Sequence, residues 1–110
     1  MNIDYTGVER PMTKADKGLW VEALRSGDYR QGNFQLFDSL TNKHCCLGVA
    51  DTLFGLRSNS EGVIMTGEDA SPTLLPIKTQ EALYHMNDVQ MLDFYKIADY
   101  IEANINAVDE

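Results

Sequence analysis

The chain has 110 residues, 44% apolar and 24% charged, with a formal charge of −8 at pH 7. That length supports one domain with a buried core but not two, and the balance of apolar and charged residues excludes wholesale disorder. No apolar run approaches the roughly 18 residues of a membrane span, and Met1-Asn2-Ile3-Asp4 has neither the basic start nor the apolar centre of a leader, so a soluble cytoplasmic protein without membrane association is expected.

Residues 1–12 contain Gly7 and Pro11 and show no period, which predicts a loose or short extended arm ahead of a globular domain of residues 13–106, with residues 107–110 frayed. Thr13 followed by Asp16 makes an approximate capping box, so a helix is expected from there to Ser26, closed by Gly27. Its expected buried stripe is Leu19, Trp20, Ala23 and Leu24, with Lys14, Lys17, Glu22 and Arg25 on other faces. Phe34 and Leu36 alternate about Gln35, and Ser39-Leu40-Thr41-Asn42 favours a reversal into Lys43-His44-Cys45, the pattern of a β-hairpin.

The second strand of that hairpin leads directly into the densest apolar run. A helix from Cys46 to Phe54 would be apolar over most of its girth and belongs in the middle of a core, with Gly55 placed to end it. Gly48 inside this helix costs about 1 kcal/mol relative to alanine, which points to another backbone crossing nearby. Asp51 is the one acid on the helix, either solvated at its edge or hydrogen-bonded to a neighbouring backbone amide, or else a polar anchor in a pocket.

From Arg57 to Pro76 the pattern is irregular. A short strand at Val63-Ile64-Met65 follows Glu61-Gly62, but Gly67, Pro72 and Pro76 interrupt anything longer, which predicts a mobile surface loop of unusual length, open to a binding role. Pro76 suits the first turn of a helix from Ile77 to about His85 with Leu83 and Tyr84 facing inward, and Asn87-Asp88 reads as a turn. Asp93 caps a last helix in which Phe94, Ile97, Ala98, Ile101 and Ile105 repeat on one face, leaving Asp99, Glu102 and Asn106 toward water. The sum is an α+β fold: one small domain of about four helices with a short β-hairpin or small antiparallel sheet.

Cys45 and Cys46 are adjacent, so their side chains diverge and a bond between them is unfavourable. They lack the C-x-x-C spacing of zinc or thioredoxin-type sites, two histidines are too few to complete a cluster, and neither a Walker loop nor G-x-G-x-x-G occurs; no metal and no cofactor are expected. Both cysteines read as reduced thiols, one filling core space and the other at a helix start beside His44, where its pKa could fall. A nucleophilic cysteine served by His44 or His85 is the weakest of the functional readings, because neighbours in sequence rarely face each other.

The charge is lopsided. Residues 1–30 carry five acids and five bases, residues 31–80 five and three, and residues 81–110 seven acids against Lys96 alone, giving 0, −2 and −6. Direct nucleic-acid binding is disfavoured, since that affinity rests on lysine and arginine displacing counterions. A basic protein surface would be attracted.

Three stretches carry a resemblance. They are Trp20-x-x-Ala23-Leu24-Arg25-Ser26-Gly27-x-Tyr29-x-Gln31, Cys45-Cys46-Leu47-Gly48-Val49, and Asn87-Asp88 followed by Phe94-x-x-Ile97-Ala98-Asp99-x-Ile101-Glu102. In their order and spacing the chain resembles a family of small, functionally uncharacterised proteins common in tailed-phage and prophage genomes. That family shows a glycine-containing turn after the Asn-Asp pair, where this chain has Val89-Gln90-Met91-Leu92. The resemblance implies an accessory protein working in a host cytoplasm, with a host-takeover or anti-defence role, and supplies no catalytic residues.

Two uses of the polar residues follow. In the leading one, Asp93, Asp99 and Glu102 form an acidic helix face that binds a basic surface of a host protein. In the alternative, Arg25, Tyr29, Gln31, His44, Cys45, Asp51, Asn87 and Asp88 line a pocket for a small molecule or nucleotide. The same polar set would serve equally as a hydrogen-bonded scaffold tying loops to the core.

Overall fold

The computed structural model describes residues 3–33, 37–58, 64–66 and 71–108. In chain order these form β1 (Glu9–Pro11), α1 (Lys14–Ser26), β2 (Arg30–Gln31), β3 (Phe37–Asp38), β4 (Lys43–His44), α2 (Cys46–Phe54), β5 (Arg57–Ser58), β6 (Ile64–Thr66), β7 (Ser71–Leu74), α3 (Ile77–Tyr84), a π-helical turn (His85–Val89) and α4 (Phe94–Asn104). The architecture is α+β, with α1, α2 and α4 packed round a shared core and two small sheets at its margins.

Helix α1 starts and stops where its local chemistry directs. The Thr13 hydroxyl accepts from the Asp16 amide at 3.1 Å and the Asp16 carboxylate accepts from the Thr13 amide at 3.2 Å, so two of the amides that a helix start leaves unpaired are satisfied. Gly27 closes the helix at φ 82°, a left-handed conformation that costs glycine nothing. The buried stripe is Trp20, Val21 and Leu24; Leu19, expected inside, is 53% exposed. At about 100° per residue, Trp20, Leu24 and Val21 span one arc of the helix, whereas Leu19 lies about 100° beyond Trp20 on the side away from Val21.

The hairpin forms, with β3 antiparallel to β4 and Ser39–Asn42 as its turn. Phe34, Gln35 and Leu36, the alternation expected for its first strand, lie outside the described residues. Strand β2 adds to the other side of β4 in parallel, giving the order β2-β4-β3. This pairing is close: a Cβ on Gly32 would stand 2.8 Å from Lys43 Cβ.

The region expected to be a loop instead builds a second sheet of order β1-β7-β6-β5, with Leu74 and Leu75 at 1% and 0% exposure. Pro72 sits inside β7 because β1 registers only with Thr73 and Leu74, so on that side the missing N–H is not called on. Ile64 and Met65 do lie in a strand, while Glu61, Gly62, Val63 and Gly67 lie outside the described residues. The chain leaves β7 through Leu74 at φ 66°, and the buried Gln80 amide donates to Thr73 and Leu75 carbonyls at 3.3 and 2.9 Å, pinning α3 to the strand end.

The N-terminal arm is not loose. Met12 is fully buried, its amide donates to Leu74 O at 2.9 Å, and Val108 pairs with Met12 and Lys14 in a parallel bridge. Asn106, expected in water, accepts from the Ile3 amide through its side chain and from the Tyr5 hydroxyl through its carbonyl, both at 2.6 Å. The two ends therefore clamp each other, and residues 107 and 108 are held, not frayed; Asp109 and Glu110 lie outside the described residues.

Nor is Asn87-Asp88 a turn. Helix α3 continues into a π-helical turn, closed by Gln90 N donating to His85 O at 2.9 Å, and the chain then reverses at Met91, whose φ is 57°. Helix α4 is capped by the Asp93 carboxylate on Lys96 N at 2.9 Å, and its apolar face, Phe94, Ile97, Ala98 and Ile101, is buried in full, with Ile105 just beyond it.

Candidate functional site

The central helix carries its cysteines inward. Cys45 is the N-cap of α2, its sulfur accepting from the Gly48 amide at 3.4 Å, and Cys46 donates to Leu83 O at 3.6 Å while Trp20 Nε1 donates to Cys46 O at 3.0 Å. Both residues are 0% exposed. Burial pushes the Cys45 thiol up to about 11 and the Cys46 thiol well above its usual value. The lowered pKa that a helix N-terminus can confer is therefore overridden by desolvation, and neither sulfur presents a thiolate to solvent.

Three of the eight candidate pocket residues, Gln31, Asn87 and Asp88, come together, with Asn87 as the hub. Its side-chain oxygen accepts from Gln31 Nε2 at 3.0 Å and from the Cys46 amide at 3.3 Å. Its nitrogen donates to Gly32 O and to Asp88 Oδ1, both at 2.8 Å. Gln31 Nε2 also reaches Leu92 O at 2.7 Å, and Asn33, which sequence reasoning missed, donates to Asn87 O at 2.7 Å. Asn87 is 0% exposed. The π-helical turn is what swings it inward, so that one amide joins β2, the start of α2 and the chain after α3. With every polar atom of Asn87 engaged internally, this arrangement is the hydrogen-bonded scaffold and not a ligand cradle.

His44 lies beside this hub on β4, 9% exposed, with the Tyr29 ring edge-on at 5.3 Å and the Phe37 ring tilted at 4.7 Å. Its Nδ1 is buried without a hydrogen-bond partner, and burial holds its pKa below the usual histidine value. Asp51 and Tyr84 also bury an oxygen each without a partner, and in both cases desolvation raises the pKa. Among the described residues no three His, Cys, Asp or Glu side chains converge closely enough to hold a metal ion, and no helix is long and apolar enough to cross a membrane.

Arg25 does not join that cluster. Its guanidinium reaches across to α4, 2.6 Å from Asp99 Oδ1 and 3.3 Å from each oxygen of Glu102, and these two carboxylates, Glu102 foremost, raise its pKa. The three expected partner-binding acids thus have structural contacts as well: Asp93 caps α4, and Asp99 and Glu102 hold α1 to α4. Yet the Asp99 and Glu102 side chains remain 72% and 61% exposed. Tyr95 is exposed near Glu102 on α4, Tyr100 lies on the other flank beside Lys78, Thr79 and Ala82, and Leu19 is exposed on α1.

Between the two helices runs an open groove of about 880 Å³, bounded by Lys14, Lys17, Val21 and Glu22 of α1 and by Glu102 and Ala107. Gly18 lines it from the α1 side and is exposed. A Cβ there would meet nothing within 4 Å and the backbone is not left-handed, so packing in this chain does not account for a mid-helix glycine that costs about 1 kcal/mol. In the sequence alone Gly18 carries little signal, because a single helix-interior glycine says little until the surface around it is known.

No curated protein and no solved structure matches this sequence. A family model does, over residues 12–69, which takes in α1, the hairpin, α2 with its paired cysteines and the chain as far as β6, and leaves α3 and α4 beyond it. On that match, which covers more than half of the chain, the protein belongs to the family described as a domain of unknown function, DUF8296.

Proposed function

We propose that the protein is a non-enzymatic binding module, a phage or prophage accessory protein that engages a basic surface of a host protein in the host cytoplasm through the outer face of α4 and the adjoining part of α1. The observation that supports this most is the pairing of chemistry on that face: carboxylates 72% and 61% exposed beside Tyr95, 59% exposed, over a helix whose opposite side is sealed into the core. Tyrosine supplies large contact area at low entropic cost, and carboxylates steer and orient a cationic partner. Arg25 does not cancel this surface. With Asp99 and Glu102 it forms a triad of net formal charge −1 whose carboxylates are held in place, which lowers the ordering cost of binding.

The pocket alternative loses support because Gln31, Asn87 and Asp88 spend their polar atoms on one another and Arg25 is drawn away to α4. The test is affinity capture from bacterial lysate at low and high salt, followed by measurement of the identified partner's affinity for wild type and for the Asp99→Asn/Glu102→Gln double variant. That variant turns the triad from −1 to +1, and an affinity loss of about tenfold or more, together with release by salt, is expected. A partner indifferent to both, or no salt-sensitive partner, would refute the reading.

A further inference from the structure

We propose that the β3–β4 hairpin is a proton-operated latch: a proton taken up by His44 drives its ring out from beside Tyr29 and Phe37 and lifts β3 away from β4, while the packed helices stay closed. This side chain and its site are mismatched. The His44 ring is buried, with Tyr29 edge-on to it at 5.3 Å and Phe37 tilted against it at 4.7 Å, and its Nδ1 has no hydrogen-bond partner. Whichever nitrogen carries the hydrogen in the neutral ring, the imidazolium carries one on each. Protonation therefore puts an N–H at Nδ1 where nothing accepts it and leaves a charge among aromatic rings.

No neighbouring anion compensates that charge among the described residues. Strands β2 and β3 and helix α2 pack against β4. In register, Gln31 of β2 and Phe37 of β3 flank His44 and neither ionises, whereas Arg30 and Asp38 flank Lys43, one residue away and so on the opposite face of the sheet. From α2 come Asp51 and Cys46, whose thiol is turned to Leu83 O, with Cys45 ahead of them as the N-cap. Tyr29 brings a phenol, and Asp88, beyond Gln31, accepts from Asn87. Phe34, Gln35 and Leu36 hold no ionisable group. Burial is what displaces the His44 pKa, and it does so downward, as expected of a charge that finds no partner where the ring sits.

The sheet sets the route out. On the β2 side the two backbones are already at closest approach: Gly32 N donates to His44 O at 2.7 Å, and a Cβ on Gly32 would stand 2.8 Å from Lys43 Cβ. Strand β2 is in turn tied to the core by Gln31 through Asn87. On the other side β3 is a two-residue edge strand, and Phe37 is 44% exposed. Lifting β3 gives up little buried surface, brings water to the imidazolium, and leaves the Asn87 hub and the helices intact.

The test is amide hydrogen exchange of the intact protein at pH 7 and pH 5, with rates corrected for the intrinsic pH dependence of exchange, together with the His44 pKa read from its ring resonances by NMR. In the open state His44 titrates at its ordinary value of 6.5, so the open population rises by about 25-fold between the two pH values. Protection of the β3 and β4 amides is expected to fall by that factor in wild type and to stay level in His44→Phe, which keeps a ring in the site. Amides of α1 and α4 should remain at least about tenfold better protected than the hairpin at pH 5. The ring itself should titrate below 6.5. Hairpin protection that does not change with pH, or that falls equally in His44→Phe, would overturn the latch. So would hairpin and helix amides of equal protection, which would make the opening global, or a His44 pKa at or above 6.5, which would mean that the closed site accepts the charge.

Discussion

Replacing Asn87 by alanine asks directly whether the buried polar set is scaffold or ligand site. The substitution removes the acceptor of the Cys46 amide, at the first residue of α2, and the donor to Gly32 O in the link between β2 and the core. Gln31 keeps its bond to Leu92 O, so it is not wholly stranded. Two backbone groups left unpaired in a buried site cost about 1–3 kcal/mol each, about 2–6 kcal/mol together, and the void left by the lost amide adds to that. A domain of this size has about 5–15 kcal/mol to lose, so the variant should be barely folded at 37 °C. Urea unfolding followed by tryptophan fluorescence is a suitable assay because Trp20 donates to the carbonyl of Cys46, next to the broken contact. Asn87→Asp serves as a near-isosteric control: it keeps an acceptor for Cys46 but turns a donor toward Gly32 O and Asp88 into an acceptor, and should lose a comparable amount at neutral pH. A loss below about 1 kcal/mol for Asn87→Ala would refute the scaffold account, since it would mean that solvent already satisfies these groups.

Two further outcomes are expected. Met91 holds a left-handed backbone that disfavours any residue with a Cβ, so Met91→Gly should stabilise by about 1 kcal/mol in urea titration, and destabilisation would show that its side chain contributes more than its backbone costs. For pH, burial depresses the folded-state pKa of His44 below its unfolded value of 6.5, so the unfolded chain takes up the proton first and stability falls as pH drops from about 6.5 toward the folded pKa. Asp51 acts with the opposite sign and lower down: its raised folded pKa makes the native state the tighter proton binder just above 3.8. His44→Phe, which keeps a ring beside Tyr29 and Phe37, should flatten the profile between pH 7 and 5, and an unchanged slope would show that His44 is not the titrating group.

Where the chain's own short-range chemistry was decisive, the sequence sufficed. The Thr13–Asp16 capping box, the glycines closing α1 and α2, the reversal at Ser39–Asn42 and the buried face of α4 all depend on contacts within a few residues or on the 3.6-residue period, and each is present. That one of the paired cysteines fills core space was legible for the same reason; that the other is sealed in as well was not.

The rest was decided by pairings far apart in sequence. Strand β7 contains a proline and follows a poor apolar pattern, yet it is held between β1 and β6, some sixty residues and five residues away. The clamp between the arm and Val108 joins opposite ends of the chain, and no local period announces it. Arg25, Gln31 and Asn87 looked alike as exposed polar candidates. Only the packing of α4 against α1, and the π-helical turn that rotates Asn87 inward, sent the first to a surface ion-pair triad and the other two into a saturated hub. Capping and periodicity act through atoms a few bonds apart and are written in the order of residues, whereas the fate of a polar side chain depends on which distant backbone groups lack partners, and that exists only once the chain has closed on itself.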